Sequence, residues 1–139
     1  MNNYLKQAQL FCEENKYRFT LPRQQVLETI INQHKPISAY DILRTLSVEK
    51  EIKPPTIYRA IDFWSKHGFI HRVESLNCYI ACNADHQHKG IQILICDSCG
   101  STKETCLNKF NIPTKIKDNK TFLVKTWNLE IHGLCANCS

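Results

Sequence analysis

Cysteine and histidine carry most of the chemistry this 139-residue chain can offer. It holds eight cysteines and six histidines, and seven of the cysteines fall between Cys78 and Cys138. Four of them form two Cys-x-x-Cys pairs, Cys96/Cys99 and Cys135/Cys138, with 35 residues between the pairs. Two such knuckles supply four thiolates, the closed tetrahedral donor set of a structural zinc site. A redox role for one pair would need a βαβ context, and none is visible in the pattern. Gly100 after the first pair and Gly133 before the second suit tight turns. The quartet is expected to hold a zinc ion that contributes folding energy and does no chemistry.

A second group lies around the polar stretch 83–90. It comprises His71, Cys78, Cys82, His86, His88, Glu104, Cys106 and His132. Taken singly, His71 reads as a strand histidine, Cys82 as a small core residue and Glu104 as a solvated carboxylate. Cys12, Cys78 and Cys106 are expected in cores, His34 and His67 at the surface, and His132 beside a metal ligand.

These groups need elements to position them. Residues 4–15 place Leu5, Ala8, Phe11 and Cys12 on one helical stripe. Thr20 and Pro22 mark the start of a second helix that buries Val26, Leu27, Ile30 and Ile31. Lys35-Pro36-Ile37 breaks it. Ser38 and Asp41 then open a third, with Ile42, Leu43 and Leu46 inward. Pro54-Pro55 opens a fourth that runs to His67, stops at Gly68 and turns Ile57, Ile61 and Trp64 to the core. Residues 69–73 and 78–82 read as the two strands of a hairpin. Three helices followed by a hairpin is the layout of a winged helix-turn-helix.

Residues 83–90 are expected to form a hinge. Beyond it, Ile91, Ile93 and Ile95 alternate with Gln92 and Leu94 as a strand with one buried face. Residues 111–119 suit a short helix, and 122–131 are extended. The fold class is therefore α+β. A winged-helix domain spans 1–82, and a small α/β domain with the four-cysteine zinc site spans 91–139.

In a helix-turn-helix the second helix enters the major groove. With Ile57, Ile61 and Trp64 inward, Thr56 and Arg59 face out and Tyr58 sits at the margin. Arg59 is suited to bidentate pairing with guanine. Tyr40 reaches a base or a phosphate from the preceding helix. Lys53 and Lys66 are expected to meet phosphates, and Arg18 and Arg23 to anchor the backbone.

The net charge of +5 is compatible with a nucleic-acid partner but does not carry the argument. Residues 1–83 hold 11 Lys/Arg against 8 Asp/Glu, and 84–139 hold 7 against 5, so the excess is spread as +3 and +2. No stretch approaches the roughly 18 apolar residues of a membrane helix, and residues 1–6 lack a secretory core. A cytoplasmic protein without a membrane partner is expected, in which metal ligation explains the cysteines better than disulfides.

Arg18-Phe19-Thr20-Leu21-Pro22-Arg23, Lys53-Pro54-Pro55-Thr56-Ile57-Tyr58-Arg59-Ala60, the Cys96/Cys99 pair and His132-Gly133-Leu134-Cys135 resemble the ferric uptake regulator superfamily. Residues 70–75, Tyr79 and Cys82 resemble its zinc uptake regulator branch. The resemblance implies that 91–139 is a dimerisation domain, and that the homodimer binds pseudo-palindromic double-stranded operator DNA and represses zinc uptake genes. It implies two zinc ions per chain, one structural and one regulatory. The regulatory ligands would be His71, Cys82, His88 and Glu104. The loop spacing departs from the pattern, so His86 is the alternative to His88.

A thiolate with two imidazoles and a carboxylate suits zinc. Residues 91–95 offer no imidazole where iron- and manganese-sensing relatives carry histidines. The same fold sensing iron, manganese or peroxide remains the alternative, as does a zinc-ribbon module without a sensing role. No nucleophile–base pair or phosphate-cradling glycine loop is present, so neither an enzyme nor a small-molecule substrate is expected.

Overall fold

A computed structural model describes residues 3–33, 35–82, 90–107 and 125–139, with the side chains of 106 and 107 excepted. The chain divides into two compact units, Met1–Ala81 and Cys82–Ser139. The expected hinge up to residue 89, residues 111–119, His34, His86, His88 and the Cys106 side chain lie outside the described residues.

In the first unit, α1 spans Asn3–Glu14 and buries Leu5, Ala8 and Cys12. Helix α2 spans Leu21–Ile31, with the Thr20 side chain accepting from the Arg23 amide and Pro22 in the first turn. Ser38 caps α3 (Ala39–Leu46) through the Asp41 amide at 3.1 Å. Each such cap satisfies an amide that the helix cannot. Helix α4 spans Pro54–Lys66 and buries Ile57, Ala60, Ile61 and Trp64. Gly68, at φ 80°, ends it where a side chain would strain the turn.

The core gathers around Trp64 and Phe69, with Leu27, Ile42, Ile57, Ile61 and Ile70 fully buried. Each contributes about 1.5–3 kcal/mol of hydrophobic stabilisation. The Trp64 indole donates to the Arg23 carbonyl at 2.8 Å, which fixes α4 against the start of α2.

Strands β1 (Ile70–Val73) and β2 (Cys78–Ala81) pair antiparallel, with Ile70 opposite Ala81 and Val73 opposite Cys78. A single 3-10 turn joins them and ends at Asn77 in the left-handed region. Ile37 exchanges two backbone hydrogen bonds with Tyr79. The stretch expected only to break α2 therefore also bridges to the wing.

In the second unit β3 (Gly90–Cys96), β4 (Thr102–Leu107) and β5 (Trp127–Gly133) form one sheet in the order β4-β3-β5. Ile91, Ile93 and Ile95 are buried and Leu94 is exposed, as their alternation predicts. Strand β4 runs antiparallel to β3, whereas β5 runs parallel to it, with Gly90 opposite Trp127 and Cys96 opposite Gly133. No helix among the described residues is long and apolar enough to cross a membrane.

Candidate functional site

The parallel pairing of β3 and β5 decides where the two Cys-x-x-Cys pairs meet. Both strands end at the same edge of the sheet, so the knuckle after β3 and the knuckle after β5 leave side by side. Asp97 N–H donates to the Gly133 carbonyl at 2.8 Å and continues the pairing past the strand ends. Gly100, at φ 76°, turns the first knuckle, and its N–H donates to the Cys96 carbonyl at 2.9 Å. Gly133 makes no comparable turn. It closes β5, and a Cβ there would meet nothing, so the expected need for glycine at 133 is corrected.

One sulfur from each of Cys96, Cys99, Cys135 and Cys138 lies within 4.8 Å of the other three. Cys99 Sγ and Cys135 Sγ are 3.8 Å apart. Tetrahedral zinc with bonds of about 2.3 Å separates its sulfurs by about 3.8 Å, so the spacing fits the ion. The surroundings favour thiolate. Amide hydrogen bonds from Cys99 and Cys135 hold the Cys96 thiol down at about 6. The Cys135 amide lies 3.3 Å from the Cys96 sulfur. The Ser101 hydroxyl, 3.1 Å from Cys99 Sγ, lowers that thiol too. The Ser98 hydroxyl lowers Cys138, but the Cys135, Cys96 and Cys99 sulfurs outweigh it and push Cys138 up to about 11. Four sulfurs this close cannot all ionise without a cation among them. His132 Nδ1 sits 2.9 Å from Asp97 Oδ1 and links β5 to the first knuckle.

Cys82 and Glu104 also come together within the second unit. The buried Cys82 sulfur lies within 4.8 Å of a Glu104 carboxylate oxygen. Glu104 stands on β4 opposite Ile93, and its Oε2 is shut off from solvent. A buried carboxylate is costly unless its charge is compensated, and a neighbouring cation does that. His71 stands on β1 of the first unit, half-buried, opposite Ile80.

The expected DNA-facing residues fall into two sets. Arg18, Arg23, Thr56 and Arg59 line one open cleft of about 520 Å³, between the α1–α2 connection and the start of α4. Tyr40, Tyr58, Lys53 and Lys66 are exposed but do not line it. Tyr40 and Tyr58 are 68% and 51% exposed, large aromatic faces with no core to fill. Arg23 has a structural task besides. Its guanidinium lies 3.7 Å from the centre of the Phe63 ring, and Nη1 donates to the Arg18 carbonyl at 2.6 Å.

Lys16 lines the same cleft and was not among the expected contacts. His67 also departs from expectation. Its ring packs 4.7 Å from Phe63, 5.0 Å from Tyr17 and 5.1 Å from Phe11. This burial, helped by Lys66 and Arg23, lowers its pKa. Cys78 is half-buried, with Sγ 3.3 Å from the Leu76 carbonyl, not in the core.

The family model described as "Ferric uptake regulator family" matches residues 14–132. The chain belongs to the ferric uptake regulator family. It is 39% identical over 137 residues to the zinc uptake regulation protein of Escherichia coli, covering 96% of this chain and 80% of that protein. Among solved structures, a zinc uptake regulator complexed with zinc and DNA matches with TM-score 0.78 and 36% identity, over 99% of this chain and 95% of that one. A crystal structure of holo XcZur matches with TM-score 0.76 and 32% identity, over 99% of this chain and 97% of that one.

This family member carries one more apolar surface on its sheet. Leu94, Ile131 and Leu134 help line a cavity of about 530 Å³ beside the knuckles. Leu94 and Ile131 are 41% and 40% exposed.

Proposed function

We propose that the chain is a zinc-responsive transcriptional repressor. It binds pseudo-palindromic operator DNA as a homodimer in the cytoplasm and controls zinc uptake genes. One observation carries the choice of metal: a buried thiol, Cys82, meets the Glu104 carboxylate away from the cysteine quartet. Iron and manganese do not favour a thiolate donor over nitrogen and oxygen, whereas zinc accepts all three. The relative that is 39% identical is named a zinc uptake regulation protein, which supports the same reading.

Two zinc ions per chain follow from this proposal. Cys96, Cys99, Cys135 and Cys138 would hold the structural ion. His71, Cys82, His88 and Glu104 would hold the sensed ion, with His86 the alternative to His88. His71 faces Ile80 across the hairpin, and Cys82 follows Ile80 by two residues. Cys82 and Glu104 would offer such an ion a thiolate and a carboxylate, whose charges it would offset.

The consequence for DNA is a population effect. Two reading helices of a dimer must match half-sites about 34–36 Å apart, or a multiple of that. Ligands shared between the units would restrict each chain to arrangements that meet this span. Moving a 1:99 balance to 99:1 takes about 5.5 kcal/mol of preferential binding. Leu94, Ile131 and Leu134 supply an apolar face for the dimer. Thr56 and Arg59 read bases together with Tyr40 and Tyr58. Arg18, Arg23, Lys53 and Lys66 meet phosphates.

The test is metal titration coupled to DNA binding. The purified protein is titrated with zinc, iron(II) and manganese(II), and its affinity for a duplex selected from a random library is measured at each step. Two zinc ions per chain, the second raising affinity at least a hundredfold, is the expected result. Equal affinity with and without the second ion would remove the sensing role. A stronger response to iron or manganese would reassign the metal.

A further inference from the structure

The connection from α1 to α2 begins with a turn that disfavours the residue it holds. Tyr17 N–H donates to the Cys12 carbonyl at 2.8 Å, and Lys16 N–H donates to the Glu13 carbonyl at 3.3 Å. These are the two bonds of a Schellman helix end, and Lys16 occupies its left-handed position at φ 59°. The Tyr17 ring stacks on Phe11 at 6.0 Å and meets Phe63 edge-on at 5.4 Å, so the turn is clamped from outside.

Elsewhere the chain solves this problem with permissive residues. Gly68 and Gly100 take positive φ, and so does Asn77. Among the described residues Lys16 is the one at positive φ that is neither glycine nor asparagine. A lysine kept where glycine fits better points to work for its side chain.

The surroundings say what that work is. Lys16 lines the cleft with Arg18, Arg23 and Arg59, and no Asp or Glu lines it. None of the four cations joins a salt bridge among the described residues. Arg23 is engaged with Phe63 and the Arg18 carbonyl, so its charge is held in place and does not swing away. Four cations with no carboxylate repel one another, and an anionic backbone crossing the cleft relieves the repulsion. Thr56 and Arg59 on the same lining put that backbone beside the start of α4.

We propose that Lys16 is a DNA phosphate contact, held toward the backbone by a strained turn, and that it supplies affinity without sequence preference. The proposal rests on the DNA-binding reading above.

The experiment compares zinc-loaded full-length protein with Lys16→Gly, Lys16→Asn and Lys16→Arg on two probes across a salt series. One probe is a duplex selected by the unaltered protein from a random library, and the other is a random-sequence duplex of equal length. Lys16→Gly and Lys16→Asn should weaken both probes by the same factor, about threefold to tenfold. The slope of log affinity against log salt should become shallower by about 0.9, the share of one phosphate. Lys16→Arg should keep the affinity. Lys16→Gly should also raise the melting temperature by roughly 2–4 °C through relief of the turn. Unchanged affinity and slope in Lys16→Gly, while the unaltered protein binds, would overturn the proposal and leave the DNA reading standing. A lowered melting temperature would remove the strain argument and overturn it too. Failure of the unaltered protein to bind either duplex would sink both readings together.

Discussion

Gly90 lies directly beneath the Trp127 indole, its partner across the parallel β3–β5 pairing, and a Cβ on Gly90 would overlap the ring. The contact holds the entry of β3 against the entry of β5, at the opposite end of both strands from the cysteine knuckles.

Gly90→Ala should therefore destabilise the second unit. The indole must shift or the strands must part, an overpacking cost of about 1–3 kcal/mol. Differential scanning calorimetry with zinc-release measurements would check this. A melting temperature within error of the parent would show that Trp127 moves aside freely.

The two proposed groups of metal ligands should separate cleanly on substitution. Cys96→Ser removes the sulfur whose thiolate the Cys135 amide favours. It should abolish the second unit's fold, because structural zinc contributes about 10–16 kcal/mol in small zinc domains. Cys82→Ser should keep one zinc per chain and the parent's circular dichroism, but lose zinc-dependent DNA binding. Elemental analysis and anisotropy titrations distinguish the two. Identical behaviour of the variants would dissolve the division into a structural and a sensing site.

Arg59 and Arg23 should fail in different ways although they share a cleft. Arg59→Ala should leave the melting temperature alone and cost about 1–3 kcal/mol of discrimination on the selected duplex. Arg23→Ala loses the Phe63 contact and the hydrogen bond to the Arg18 carbonyl. It should lower stability by about 1–2 kcal/mol and weaken random duplex as well. Equal stability of the two variants in urea would count against this assignment.

Dimerisation should depend on the exposed apolar face of the sheet. Leu94→Glu and Ile131→Glu each place a charge on side chains now about two-fifths exposed. Sedimentation equilibrium should show monomers at micromolar concentration, with the quartet's zinc retained. A persistent dimer would locate the interface elsewhere.

Much of the first unit was legible because its signals are local. The Thr20 and Ser38 caps, the Gly68 stop and the Ile57/Ile61/Trp64 stripe each depend on residues within a turn or two. The alternation from Ile91 to Ile95 was legible for the same reason. What escaped was tertiary. Nothing in Ile37 itself announces a bridge to Tyr79, and nothing in a lysine announces a left-handed backbone. Arg23 reads as a free cation until Phe63 is found beneath it. His67 reads as a surface residue until three rings close around it. Cysteine spacing announced the quartet, but the parallel partnership of β3 and β5 that assembles it has no sequence signature of its own.

That partnership ties the assembly of the quartet to strand register. A slip of β5 by one residue against β3 would carry Cys135 about 3.3 Å along the strand and turn its approach to the other face of the sheet. Only the correct alignment presents four sulfurs to one ion, so a misaligned sheet would be left holding two half-sites of weak grip. Zinc binding would then favour the one alignment that assembles all four sulfurs.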